Sequence, residues 1–182
     1  MNRMTGLCVA SMAMMLASAA LSSIARAQCT ATGSGDTCTQ PGSVSMTAGR
    51  VVRLQMTAGS TPLTAPTTAD FDAGFNSTTG PTLTVSANAP WTLLVRSSGT
   101  FWTATNTSPS APARTTKPAG DLLWSTASGG TFNALTTGDA TLVSGAATAS
   151  SATTLYFQTL YDWTLDTPGN YSLSVVLTLT SP

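Results

Sequence analysis

The sequence predicts an all-β protein, an antiparallel β-sandwich of eight or nine short strands, and three observations carry that prediction. Apolar and polar residues alternate with a period of two in several separate stretches, the mark of a strand with one buried face. The chain has no glutamate and little lysine or glutamine, while Thr and Val, which favour strands, are abundant. Turn residues recur at short intervals, and no stretch of helical length carries an apolar stripe at three-to-four-residue spacing.

Residues 1–27 read as a secretory signal peptide. Arg3 and the terminal amine give a positive start, Gly6 to Ile24 an apolar stretch, and Ala25-Arg26-Ala27 the small-x-small site, with the cut before Gln28. A retained membrane anchor is the alternative for this stretch. Removing these 27 of 182 residues leaves 155, with five cations against seven aspartates and a net charge of −2. That length suits one domain with a sizeable core. Cys8 leaves with the signal, so Cys29 and Cys38 remain. They flank a flexible segment, and in an exported chain they are expected to form a disulfide stapling a polar N-terminal arm, residues 28–49. A loop this small contributes about 2–3 kcal/mol in the chain-entropy account. Zinc would find only half a site in two thiolates without histidine.

The β-domain is expected over 50–182. Val52, Leu54 and Met56 point one way and Arg53 and Gln55 the other, which predicts the first strand. Pro62 and Pro66 mark a loop. Phe71 and Phe75 alternate with Asp70 and Asp72, as in a strand with one wet face, and Asn76 to Pro81 reads as a polar turn. Leu83, Val85 and Ala87 alternate, Asn88-Ala89-Pro90 turns the chain, and Trp91, Leu93 and Val95 alternate again, which predicts a β-hairpin. Residues 105–120, with three prolines, Arg114 and Lys117, read as a long exposed loop. Short strands are expected at Asp121–Ala127 and Ala140–Ser144. Thr154 to Trp163 reads as an aromatic-rich strand with Leu155, Phe157 and Tyr161 in phase. Past the turn signal Asp166-Thr167-Pro168-Gly169, one long strand runs from Tyr171 to Thr180. The expected core includes Trp91, Leu93, Val95, Phe157, Trp163, Tyr171, Leu173 and Val175, with Trp91 and Trp163 packed together. Trp102, beside Phe101, is the candidate for an exposed ligand contact.

Composition also limits the chemistry. The absence of histidine and glutamate removes the usual general acids and bases and the commonest metal ligands, so no catalytic residue, metal or cofactor is assigned. No basic run tracks a phosphate backbone, and no basic amphipathic stretch suits an anionic membrane. No second run of membrane-spanning length follows the signal. Asp70, Asp72, Gly74 and Asn76 are spaced like the opening of a calcium loop, but no acid follows at the closing position. Asp162 and Asp166 bracket Trp163-Thr164-Leu165, where a carboxylate pair could act on a sugar; they read by default as solvated turn acids. Lys117 alone could activate a serine, from a proline-rich loop, and is discounted. Asn76, Asn106 and Asn170 each open a glycosylation acceptor pattern, common by chance in so Ser/Thr-rich a chain.

Trp91-Thr92-Leu93 and Trp163-Thr164-Leu165 form two Trp-x-Leu tripeptides, and Tyr161 to Pro168 surrounds the second. This layout resembles the WxL domains that hold proteins noncovalently on bacterial cell walls. Gly169 followed by an alternating C-terminal strand is similar to the terminal strand of chaperone–usher pilin subunits. The segment Asp70 to Val95 resembles bacterial immunoglobulin-like surface modules. These resemblances imply an immunoglobulin-like sandwich that is secreted, periplasmic or at the cell surface. The implied role is a structural or adhesive module, without catalysis, that engages a cell-wall polymer or surface protein. A fimbrial fibre subunit self-associating through an edge strand is the alternative, and an exported glycan hydrolase the third reading.

Overall fold

The computed structural model describes residues 30–182 apart from 36, 40–41 and 108–110. The expected signal peptide and Cys29, and with Cys29 the expected bridge to Cys38, lie outside the described residues. The chain divides into two units, one ending at Thr47 and the other running from Ala48 to Pro182. The described residues up to Thr47 contain no strand or helix, and all are exposed.

The second unit is mostly β. Its strands are β1 (Val52–Met56), β2 (Phe75–Ala87), β3 (Trp91–Ser97), β4 (Thr103–Asn106) and β5 (Leu122–Ser125). They continue with β6 (Asn133–Ala134), β7 (Ala140–Gly145), β8 (Thr148–Leu160), β9 (Gly169–Ser172) and β10 (Val175–Thr180). One helical turn, α1 (Thr68–Ala73), and a short 3-10 turn at Ala119–Asp121 interrupt them. Every pairing is antiparallel: a five-stranded sheet in the order β1-β2-β8-β5-β6, a three-stranded sheet β10-β3-β7, and a two-stranded pair β4-β9.

Alternation places one face of β2 (Leu83, Val85, Ala87) and of β3 (Trp91, Leu93, Val95) in the buried core, together with Leu122, Leu155 and Phe157. Tyr171, Leu173 and Val175 are half-buried against that core. The expected hairpin between β2 and β3 does not form. β2 pairs with β1 and β8, while β3 pairs with β10 and β7, so Asn88-Ala89-Pro90 carries the chain from one sheet to another. Alternation identifies the inward face of a strand but not its neighbour, and this connection lacks the glycine that favours a two-residue hairpin.

Other elements also differ from expectation. Asn76 to Pro81 is not a turn: β2 runs through it, and Pro81 falls inside the register shift between Thr79 and Thr82, where a missing N–H is tolerated. A side chain at Gly80 would meet the Phe157 ring at 2.6 Å, so glycine there lets that ring lie against the strand backbone. Tyr171 to Thr180 splits at Leu173-Ser174 into β9 and β10, which pair with β4 and β3. Of the expected strand at Asp70–Phe75, Asp70 to Ala73 instead belong to the helical turn α1, Gly74 caps it, and only Phe75 is extended, opening β2.

A candidate binding cleft

Local sequence builds α1. Thr67 caps its start: the Asp70 N–H donates to Thr67 Oγ1 at 3.3 Å, and Asp70 Oδ2 accepts from the Thr67 N–H at 2.7 Å. These reciprocal bonds satisfy amides the first turn leaves open. Gly74, at φ 79°, ends the turn in the left-handed region. Asp70 and Gly74 therefore cap a short helix, and Asp72 lies within it. Among the described residues no group of three or more candidate ligands is arranged to hold a metal.

β8 ends at Leu160, and the chain then turns tightly. Asp162 Oδ1 accepts from the Thr164 N–H at 2.7 Å, the Thr164 hydroxyl at 2.6 Å and the Leu165 N–H at 3.1 Å. These bonds, led by the Thr164 hydroxyl, hold the Asp162 carboxyl below its ordinary value. The Tyr161 N–H donates to the Gly74 carbonyl at 2.9 Å, joining this turn to the end of α1.

Trp163 therefore leaves the strand phase that was expected to bury it. It is 58% exposed, stacks on Phe71 with ring centres 4.6 Å apart, and donates from Nε1 to Asp72 Oδ1 at 3.2 Å. Phe71 also contacts Tyr161, at 5.4 Å. The expected pairing of the two Trp-x-Leu tryptophans does not occur: Trp91 is 3% exposed in the core, its Nε1 donating to the Ala146 carbonyl. Trp102, expected to be exposed, is 5% exposed and donates from Nε1 to the Pro118 carbonyl. Its neighbour Phe101 is the exposed ring of that pair. Trp102 nevertheless lines, together with Phe71, Tyr161 and Trp163, a cleft of about 680 Å³.

Lys117 and Asp166 lie in the same cleft. Lys117 is 2% exposed rather than displayed on a loose loop, and its ammonium lies 3.0 Å from both oxygens of Asp166. It also donates to Asp121 Oδ2 at 3.3 Å and to the Leu160 carbonyl at 2.8 Å. Arg114 bonds Asp166 at 3.0 Å and Asp121 at 3.4 Å. The Asp166 side chain, read from sequence as a solvated turn acid, is 7% exposed and accepts a further bond from the Asp162 N–H. Two cations thus face two carboxylates, and hydrogen bonds satisfy them; burying any one alone would be costly. The Lys117 ammonium also sits 5.5 Å from the centre of the Tyr161 ring. Burial, with the nearby Asp70 charge, raises the Tyr161 hydroxyl above its ordinary value. The rim is fixed by Tyr171, whose hydroxyl donates to the Thr167 carbonyl at 2.6 Å and accepts from the Arg114 N–H at 2.9 Å.

Sequence reading missed Phe71, Tyr161 and Lys117 as members of one site. The signal for α1 was present in Thr67-x-x-Asp70 followed by Gly74, but Lys117 and Asp166 are 49 positions apart and nothing local links them. No protein-family model and no curated protein matches the chain.

Proposed function

We propose that this chain is an exported, non-catalytic immunoglobulin-like β-sandwich, periplasmic or at the cell surface, that binds a cell-wall polymer through the Trp163 cleft. One observation carries the reading: a tryptophan 58% exposed yet held in place by Phe71 and Asp72. The flat face of an exposed, fixed indole suits the C–H face of a sugar ring. The sandwich reading is supported by inward residues of the five- and three-stranded sheets in one core cluster. The Tyr171 hydroxyl, bonded four residues back to the Thr167 carbonyl, resembles the tyrosine corner of such folds and lends support to that reading. Hydrolysis is disfavoured because Asp166 is committed to Lys117 and Arg114 rather than presented to a substrate. Sedimentation of residues 28–182 with purified wall sacculi tests the proposal. Pelleting only with sacculi, and release by soluble wall fragments, is expected; a protein that stays in solution contradicts it.

A second reading, self-association into a fibre, has its own observation. An apolar depression of about 730 Å³ is lined by Leu54, Leu155, Leu173, Val175 and Leu177, and β1 and β10 are edge strands. Val44 and Met46, two positions apart ahead of the β-domain, are almost fully exposed. Pelleting without sacculi, and a ladder on mildly denaturing gels, would favour this reading.

A further inference from the structure

The cleft's charge selects among polymers. Asp166 lines the cleft, Asp72 and Asp121 are bonded to the lining Trp163 and Lys117, the Asp70 charge lies near the lining Tyr161, and Asp162 stands between Tyr161 and Trp163 in the chain; among the described residues Lys117 and Arg114 are the cations bonded to this group. Both cations are bound to Asp121 and Asp166, so neither is left to meet an anionic ligand. Asp70, Asp72 and Asp162 have no ion pair among the described residues. Asp72 borders the exposed ring itself: its Oδ1 accepts the Trp163 N–H, and its Oδ2 has no partner among the described residues. A π face attracts cations, and a carboxylate at its edge strengthens that preference. Phosphate-rich polymers, by contrast, would meet repulsion.

We propose that the ligand is a glycan bearing free amines, a polymer of de-N-acetylated amino sugars, whose ring packs on Trp163 while its ammonium pairs with Asp72. This rests on reading the cleft as a glycan site. Asp72 is exposed, so the ionic part of binding weakens as salt rises.

The test titrates residues 28–182 with glucosamine oligomers and with their N-acetylated counterparts, read by calorimetry and tryptophan fluorescence. The free-amine oligomer is expected to bind on the order of tenfold more tightly. That preference should shrink in Asp72→Asn and at high salt, with circular dichroism and melting of the variant unchanged. Equal binding of the two oligomers, or preference for the acetylated one, overturns the charge assignment and leaves the glycan site standing. Binding of neither overturns both, and capture of a lysine-rich peptide in that case would identify a cationic protein partner instead.

Discussion

Trp163 and Asp72, 91 positions apart in the chain, are joined by a hydrogen bond from the indole N–H to Oδ1 at 3.2 Å. The bond fixes the edge of the ring, the stack on Phe71 covers one side, and more than half of the side chain stays in water. An immobilised exposed indole loses little side-chain entropy when a partner arrives, which favours binding.

Trp163→Ala should therefore cost little stability. One stack and one exposed hydrogen bond are lost, which together amount to about 1–2 kcal/mol at most. Urea unfolding followed by far-UV circular dichroism checks this, since a loss above that range would mean that Trp163 serves the core after all.

Lys117→Met should be far more damaging. It leaves Asp166, 7% exposed, with Arg114 and the Asp162 N–H but without its lysine, and breaking a buried pair in this way costs about 3–5 kcal/mol. For a domain of this size the melting temperature should fall by roughly 10 °C. Lys117→Met combined with Asp166→Leu should recover part of the loss, and equal losses in the single and double variants would argue against a coupled pair.

Gly80→Ala tests the close passage of Phe157 over β2. The added methyl would meet that ring at 2.6 Å and the Leu155 carbonyl at 3.1 Å, so overpacking should destabilise by about 1–3 kcal/mol. A neutral or stabilising effect in thermal melts would contradict this packing.

Acid should weaken the two turns that Asp70 and Asp162 hold. Bonds from Thr67 hold the Asp70 carboxyl below its ordinary value of 3.8, as bonds from Thr164 do for Asp162. Groups with lowered values in the folded state stabilise it fully above the unfolded value, and that contribution fades as pH falls through the lower, folded one. Stability should thus be flat from neutrality to about pH 5 and decline below about pH 4. Thr67→Ala should shrink the acid-dependent part of that decline, as read by urea midpoints at pH 7 and pH 3. An unchanged difference between the two pH values would contradict the capping role.

Much of the core was legible in the sequence because a half-buried strand must alternate. Trp91, Leu93 and Val95 follow that rule and are buried. Neighbour relations were not legible, since the same alternation suits β3 whether it pairs with β2 or with β10. The site was harder still. Aromatic density around Trp163 suggested core, yet burial depends on where the strand stops, and β8 stops at Leu160. Lys117 lies in a proline-rich segment that composition marks as exposed, but the Trp102 N–H donates to its carbonyl at 2.8 Å, and its ammonium reaches partners from Asp121 to Asp166. Those contacts exist only after the chain has closed on itself.

If the Trp163 cleft, and not exposed aromatic surface in general, holds the wall polymer, removing the two exposed rings should have unequal effects. Sedimentation with sacculi of residues 28–182 should be compared with Trp163→Ala and with Phe101→Ala, whose ring is exposed outside the cleft. The account predicts at least tenfold weaker binding for Trp163→Ala, full binding for Phe101→Ala and an intact fold in both. Equal binding by all three proteins would contradict it.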